Sequence, residues 1–339
     1  MNYLFARRVS RIAIASIVLT AGLSAYAQRV RRMTTFATGS AVNATGPDSV
    51  TLSKNSVWVS YTNGADSTGL SGSSTIVQYK LNGEVRHTYS IAGSVDGLKV
   101  DPRNGHVWAL QNQDGNSTLS VINPKTHTVA GPIPYAVKSA TEGYDDVVFR
   151  LNQVFMSYTN PASPTDPIIQ LLKNGSDPLG VRPILLMGAT GTNLATGQAN
   201  QPVTQNDPDS LKLTPTGDLM LSSGDDGQLL FVEKPGRPDQ SVRFLTLLDP
   251  STGLNVSGLD DAVFATAKKG TFYLADTGNN RILKIEVDHV PVGALFASIG
   301  SLRELAEVDI HTGLITRLVS NLNGPHGLEF VPDDNDNEQ

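Results

Sequence analysis

The sequence predicts an all-β protein assembled from six similar units, and three observations carry this prediction. A hexad whose second residue is usually Asp recurs along the chain as PDSVTL, VDGLKV, YDDVVF, PDSLKL, LDDAVF and PHGLEF. Each of the first five copies is followed in the same phase by a turn, a short apolar strand and a polar exit. Short alternating runs rich in Val, Thr and Ser are abundant, whereas helical periodicity is scarce after the first thirty residues.

The second residues of the hexads define the length of the repeat. Their separations along the chain are 48, 49, 64, 51 and 66 residues. These values indicate a unit of about 50 residues with insertions in the third and fifth units. The residues are Asp48, Asp96, Asp145, Asp209, Asp260 and His326.

Each unit is predicted to contain about four antiparallel strands. Segments such as STLSVINPKTHTVAG pair two alternating runs across a turn, which is typical of β-hairpins. Six four-stranded units around an axis make a six-bladed β-propeller, in which the first strand of every blade lines a central channel. Only nine residues follow PHGLEF. The last blade is therefore expected to take strands from the N-terminal RMTTFATGSAV or from the long insertion that precedes the last hexad.

The N-terminus predicts a secretory signal peptide over residues 1–27. Three Arg precede the apolar stretch IAIASIVLTAGL, and AYA forms a small-x-small cleavage site. Twelve apolar residues are too few to cross a bilayer core of about 30 Å as a helix, so a membrane anchor is the weaker alternative. The rest of the chain is predicted to be one propeller domain over residues 28–332, with an acidic solvated tail over residues 333–339.

The charge and cysteine content exclude several classes of function. Removal of the signal peptide lowers Lys+Arg from 26 to 23 against 32 Asp+Glu, so the net charge moves from −6 to −9. A nucleic-acid partner needs a basic face, and no Lys/Arg cluster with interleaved aromatics follows Arg32. Without cysteine, an exported chain has no disulfide framework and no thiolate metal site. We expect a secreted or periplasmic bacterial protein that has no nucleic-acid partner and, after signal cleavage, no membrane association.

The segment DTGNNRILKI resembles the NHL repeat at Asp276, Asn279, Arg281 and Ile282. The hexads also resemble the Pro-x-Gly-[Ile/Leu] blade start of NHL proteins and of the senescence-marker/gluconolactonase family. In this loose sense the resemblance covers residues 47–331. It implies a propeller fold and a structural pairing of Asp276 with Arg281 inside one blade. Such propellers include lactonases, lyases, calcium binders and interaction scaffolds, so the resemblance selects no single activity.

Five Asp at equivalent positions around a narrow channel allow two interpretations. Like charges raise one another's pKa unless a cation lies among them or the side chains turn aside. In one interpretation each Asp accepts hydrogen bonds from an adjacent interblade turn. In the other a divalent cation binds there, and the roomy ring favours calcium over magnesium. The candidate ligands are Asp48, Asp96, Asp145, Asp209 and Asp260, with additional carboxylates at Asp146 and Asp261.

His326 replaces Asp in the last hexad and is the candidate catalytic residue. It suits a general base or a metal ligand, and it also suits a substitution tolerated in one repeat. The gluconolactonase resemblance implies a metal held by a Glu, an Asn and an Asp that line the channel, but no Glu of this sequence can be assigned to that position. Two functions therefore stay open. One is a scaffold that binds a small molecule or a protein at the channel face, and the other is a metal-dependent lactonase or esterase-like hydrolase.

Two further expectations concern the surface. The insertion over residues 188–207 precedes an innermost strand, so it is expected to lie at the channel mouth, either as a cover that hydrogen-bonds to a sugar or peptide or as a surface loop without a ligand. The five other histidines are expected in surface hairpins, loops or strand starts; they are His87, His106, His127, His289 and His311.

Overall fold

Six sheets form a six-bladed β-propeller, and each blade contains four antiparallel strands. The computed structural model describes residues 29–136, 140–173 and 178–333. The predicted signal peptide and residues 334–339 of the predicted tail lie outside the described residues. Within the described ranges, no helix is long and apolar enough to cross a membrane.

Blades 1 to 3 follow the chain order, with the hexad strand innermost and each later strand further out. Blade 1 contains β2 (Pro47–Ser53), β3 (Ser56–Tyr61), β4 (Ser73–Tyr79) and β5 (Val85–Ala92). Blade 2 contains β6 (Val95–Val100), β7 (Val107–Gln111), β8 (Thr118–Asn123) and β9 (Thr128–Pro134). Blade 3 contains β10 (Tyr144–Arg150), β11 (Gln153–Tyr158), β12 (Pro167–Lys173) and β13 (Gly180–Leu186).

Blade 4 carries the insertion of the third unit on its outer edge. Its four strands are β16 (Pro208–Leu213), β17 (Leu219–Ser223), β18 (Gln228–Glu233) and β19 (Ser241–Thr246). The insertion adds β14 (Thr190–Asn193), which pairs in parallel with β19, and β15 (Gln201–Pro202), which pairs with β14. The expectation that this insertion covers the channel mouth is therefore wrong for its hairpin. The backbone groups of this hairpin instead form hydrogen bonds along the edge of the outermost strand of blade 4.

A hairpin that belongs to blade 6 lies, along the chain, between the first and second strands of blade 5. Blade 5 contains β20 (Leu259–Phe264), β23 (Leu295–Ile299), β24 (Glu304–Val308) and β25 (Ile315–Val319). Blade 6 contains, from the channel outwards, β26 (Pro325–Pro332), β21 (Gly270–Asp276), β22 (Arg281–Val287) and β1 (Val30–Thr38). The strand that follows LDDAVF thus belongs to the next blade, and not to the same blade as its phase predicts. Blade 6 takes strands from the N-terminal segment and from the long insertion, so both expected sources contribute.

The hydrophobic core is divided into six clusters, one between each pair of adjacent blades, including one between blades 6 and 1. Inner strands also contact their neighbours all the way around the channel. Each blade is covered on both faces, which explains why all six residues of Ser56–Tyr61 are buried. The blades therefore close into a ring that holds the hexads at one height.

Candidate functional site

A β-bulge in every innermost strand explains the repeated hexad. In each of the six blades the pairing with the second strand shifts by one residue between the first and fourth hexad positions. A bulge inserts an extra residue, which re-aims side chains and leaves a backbone group without a strand partner. Buried serines of the second strand satisfy that group in three blades, where Ser60, Ser157 and Ser298 accept from the N–H of the third hexad residue.

The third hexad position contacts the neighbouring blade. Asp146 Oδ2 accepts a hydrogen bond of 3.0 Å from the N–H of Leu211 in β16. Asp261 Oδ2 accepts one of 2.8 Å from the N–H of Leu328 in β26. A Cβ on Gly97, the equivalent residue of blade 2, would lie 2.1 Å from the carbonyl oxygen of Asp145. Hydrogen bonds from the inner strand of the next blade are thus accepted by the third hexad residues Asp146 and Asp261.

The second hexad residues converge on one small cavity at the channel axis, and they divide into two halves. In blades 5, 6 and 1, His326 Nδ1 lies 2.9 Å from Asp260 Oδ1 and 3.1 Å from Asp48 Oδ1. Coulomb attraction to Asp260, reinforced by Asp48, raises the pKa of His326 to about 12. His326 is therefore an imidazolium at neutral pH, and it serves as the counter-ion of these two carboxylates.

In blades 2, 3 and 4 the corresponding residues are Asp96, Asp145 and Asp209. One carboxylate oxygen from each lies within 4.8 Å of the others. Asp145 is only 8% exposed. Among the described residues, none of these three side chains forms a salt bridge or receives a hydrogen bond from a backbone, hydroxyl or amide donor. We call this set of three the Asp half-ring.

The Asp half-ring cannot stay fully ionised without a cation. Two unit charges 4.8 Å apart repel by roughly 3 kcal/mol at an effective dielectric constant of about 20. Burial, followed by the charges of neighbouring Asp, raises the pKa of Asp145 and of Asp209 well above the usual range. The same two causes, burial first and then Asp48, raise the pKa of Asp96 to about 7. In the absence of a cation, burial and mutual repulsion therefore favour protonation of the half-ring carboxylates.

The size of the cavity limits what can occupy it. We call the full circle of second hexad residues the Asp ring. The space that it encloses measures about 10 Å³. This is close to the volume needed by one water-sized sphere. A single ion fits, whereas an organic substrate does not.

An ion-pair network that the sequence analysis missed closes the channel on the other side of the ring. Lys212 Nζ lies 2.9 Å from Asp261 Oδ2 and 3.0 Å from Glu329 Oε1. Lys99 Nζ lies 3.5 Å from Glu329 Oε1 and 3.7 Å from Asp146 Oδ2. Nearby carboxylates hold the pKa of Lys212 well above its usual value. We call Lys99, Lys212 and Glu329 the plug. All three occupy the fifth hexad position, and a charged residue there, in an otherwise apolar strand, was the feature of the sequence that could have indicated this network.

The open side of the ring is acidic. Burial, and after it the charge of Asp225, raises the pKa of Asp207 to about 6, and Asp96 and Asp114 contribute to the shift. Asp207 ends the 188–207 insertion, so this end of the insertion does reach the channel, although its hairpin does not. A concentrated negative potential attracts cations and repels anions.

Two other sets of predicted residues lie away from the ring. Asp276 is fully buried, and its Oδ2 lies 2.7 Å from Arg281 Nε and 2.9 Å from Asn279 Nδ2, inside the β21–β22 hairpin. The resemblance implied such a structural pairing. His87 and His127 lie near the outer edges of blades 1 and 2 with ring centroids 3.7 Å apart.

Taken together, the blades and the channel place this chain in the class of six-bladed β-propellers. A streptogramin B lyase has a similar structure, with 12% identity over 87% of this chain and 90% of that chain and a TM-score of 0.49. A periplasmic gluconolactonase from Pseudomonas aeruginosa is also similar, with 12% identity over 84% and 88% of the two chains and a TM-score of 0.49. A virginiamycin B lyase from Staphylococcus aureus has 14% identity over 86% and 85%, with a TM-score of 0.44.

No protein-family model matches the chain, and no curated protein sequence matches it. The NHL resemblance at residues 276–282 is therefore not confirmed by a family. The architecture it implied is nevertheless the one observed.

Proposed function

We propose that this protein is an exported propeller that holds one divalent cation in the Asp half-ring and binds a ligand or protein at the channel mouth. The observation that carries the proposal is the carboxylate of Asp145, which is nine-tenths buried, lines the cavity and, among the described residues, interacts with the carboxyl groups of Asp96 and Asp209 and with no cationic side chain. A buried polar group without a partner costs free energy, and a buried charge costs more unless it is paired or coordinates a metal. A cation supplies the missing partner.

The donor set favours calcium. Asp96, Asp145 and Asp209 offer only oxygen ligands, which suit hard cations rather than zinc or copper. Calcium takes oxygen ligands at about 2.3–2.6 Å, so two oxygens on opposite sides of the ion are separated by roughly 4.8 Å. The half-ring oxygens already lie within this distance of one another. Magnesium requires shorter distances of about 2.0–2.1 Å and a stricter octahedral geometry, which three carboxylates on separate strands satisfy less readily.

The distribution of charge in the ring supports the same position. His326 neutralises part of the charge of Asp48 and Asp260 on one side. The plug engages Asp146 and Asp261 below the ring. Neither His326 nor the lysines of the plug form a salt bridge with a half-ring carboxylate. A bound metal ion therefore adds to these ion pairs and replaces none of them.

The cation would leave ligand positions free on the mouth side. Calcium takes six to eight oxygen ligands, and three carboxylates do not complete this number. A ligand oxygen, from a sugar, a peptide or a protein carboxylate, can complete the coordination. The acidic mouth attracts cations, so metal-mediated binding is better suited to it than direct binding of an anionic ligand.

The second candidate function is a metal-dependent lactonase or esterase-like hydrolase. The free coordination positions favour it, because a bound cation polarises a carbonyl oxygen when it acts as a Lewis acid. Its weakness is the base. His326 has a pKa of about 12, whereas an efficient general base has a pKa near the working pH. The binding function is therefore our first choice.

Calcium titration followed by thermal unfolding of the mature protein tests the proposal. The wild type should show a saturable stabilisation that disappears in Asp96→Asn/Asp209→Asn. The matched control is Asp48→Asn/Asp260→Asn/His326→Gln, which removes the ion-paired half of the same ring together with its counter-ion and should retain the calcium response. Loss of the response in both variants, or in neither, would contradict the assignment to the half-ring. A screen of lactones and esters with and without calcium then decides between binding and hydrolysis.

A further inference from the structure

A second cavity lies between blades 4 and 5, at the opposite ends of the inner strands from the Asp ring. It is lined by Thr214, which follows the last residue of β16, and by Phe264, the last residue of β20. The Asp ring is formed at the first residues of the same strands. The cavity volume is about 330 Å³, which lies at the small end of the usual range for ligand pockets, roughly 300–1,000 Å³.

The insertion that distinguishes blade 4 builds one wall of this cavity. Gly191 lets β14 pack against β19, because a Cβ there would lie only 3.0 Å from the carbonyl oxygen of Val242. The N–H of Leu194 then donates a hydrogen bond of 2.9 Å to the carbonyl of Phe244, which fixes Leu194 at the cavity. Asn193 Oδ1 accepts from the N–H of Ala195 at 2.9 Å and so holds the following turn. Of the six sheets, this is the one that carries additional strands.

The floor of the cavity is aromatic and continuous with the core. Phe231 is 7% exposed and belongs to the hydrophobic cluster between blades 4 and 5, and Phe264 and Leu194 pack against that cluster. Ile310 forms the outer edge and is 39% exposed. Apolar side chains therefore form the floor of a space that the core leaves unfilled, and polar side chains complete its wall, which is the usual composition of a small-molecule pocket.

The guanidinium and the carboxylates that line the cavity are already paired, and the imidazole of His311 lies beside them. Arg243 forms a salt bridge with Glu233. Asp218 accepts a hydrogen bond of 2.9 Å from the hydroxyl of Thr216 and one of 3.1 Å from the N–H of Lys234. A charged ligand would have to compete with these contacts, whereas a neutral ligand with one hydroxyl or amide can hydrogen-bond to the rim without breaking an ion pair.

We propose that this cavity binds a small neutral aromatic molecule of one or two rings, which packs on Phe231 and Phe264 and places a hydrogen-bonding substituent at the Thr214–Asp218 turn. Aromatic side chains favour stacked or edge-to-face contact with an aromatic ligand. The proposal is independent of the cation site, because the two sites share no residue.

Calorimetric titration with 2-naphthol, a neutral two-ring phenol, tests this inference on the mature protein. The expected result is one saturable site per chain, with affinity unchanged by a calcium chelator. Leu194→Trp should weaken binding at least tenfold because the indole fills the cavity. Leu254→Trp, at a position 69% exposed and outside the cavity, should leave it unchanged.

Ile310→Trp is a second variant that should fill the same cavity, and its side chain starts from an exposed position. The test therefore does not depend on how well the core tolerates Leu194→Trp. Its binding should also be weakened at least tenfold. Naphthalene, which lacks the hydroxyl, should bind more weakly than 2-naphthol. The absence of saturable binding to the wild type, or unchanged affinity in both filled variants, would overturn the proposal.

Discussion

Asp145→Asn should change the stability of the protein in opposite directions depending on calcium. Burial and the neighbouring Asp96 and Asp209 raise the pKa of Asp145 well above its usual range. Replacement by the neutral amide removes the free-energy cost of burying or protonating this carboxylate and supplies donors to the adjacent carboxylates. The calcium-free variant should therefore be more stable than the calcium-free wild type, by about 1–3 kcal/mol, the usual desolvation cost of a buried polar group.

With calcium the order should reverse. At a free calcium concentration one hundred times the dissociation constant, binding stabilises the wild type by about 2.7 kcal/mol. The unfolding entropy is about 2.1 cal/mol/K per residue, so for a domain of about 300 residues this corresponds to a rise in Tm of about 4 °C. Asp145→Asn removes one of three charged ligands, so most of this rise should disappear.

The measurement is scanning calorimetry of both proteins after chelator treatment and again in saturating calcium, at neutral pH. Magnesium at the same concentration is the control for ionic strength and should give a smaller shift. A variant that is less stable than the wild type without calcium, or that retains the full calcium shift, would refute the argument. The first result would mean that Asp145 has a stabilising partner, and the second that it is not a ligand.

Four further predictions follow from the ring, the plug and the blade contacts. His326→Gln should destabilise the fold by about 1–2 kcal/mol, a value discounted for partial exposure. The raised pKa of His326 stabilises the fold fully at pH values below the unfolded-state pKa, near 6.5, and this stabilisation is lost as the pH rises through about 12. The difference in unfolding free energy between the wild type and His326→Gln should therefore shrink between pH 7 and pH 11, as measured by urea unfolding. Lys212→Met should cost about 3–5 kcal/mol because it leaves Glu329 without its closest counter-ion, and Lys212→Met/Glu329→Gln should recover part of this loss. Arg281→Ala should cost about 1–2 kcal/mol by chemical denaturation, since Asp276 keeps two other donors, and should leave calcium affinity unchanged. Calcium affinity measured by titration should fall as the pH falls from 8 to 5, because protons compete for half-ring carboxylates whose pKa values are raised; a flat profile would contradict a site made of carboxylates.

The sequence was sufficient to predict the blades and the height of the Asp ring. Each hexad corresponds to an inner strand with a β-bulge, and this bulge recurs in every blade at the place where the inner strand contacts the neighbouring blades. The second residue of each hexad, such as Asp96 or His326, could therefore be placed at the channel without a structure. Its partners could not, because the direction of a side chain at a bulge depends on one backbone shift that the residue pattern does not record.

The route of the chain through blades 5 and 6 was not predictable from local pattern. The strand Gly270–Asp276 has the apolar sequence and phase of a second strand, and nothing within it distinguishes Leu259–Phe264 from Pro325–Pro332 as its partner. The spacing of 66 residues was the signal that an additional hairpin lay between the last two hexads. Strand partners across such a distance are decided by packing, which a single sequence does not report.

A crystal structure of the mature protein soaked in calcium, with the anomalous signal measured at long wavelength, would show whether the half-ring holds a cation. We expect one strong peak per chain at the channel axis, about 2.3–2.6 Å from an oxygen of each of Asp96, Asp145 and Asp209, with His326 still bound to Asp48 and Asp260. A calcium-saturated crystal without a peak there, with the three carboxylates hydrogen-bonded to one another or to water, would contradict it.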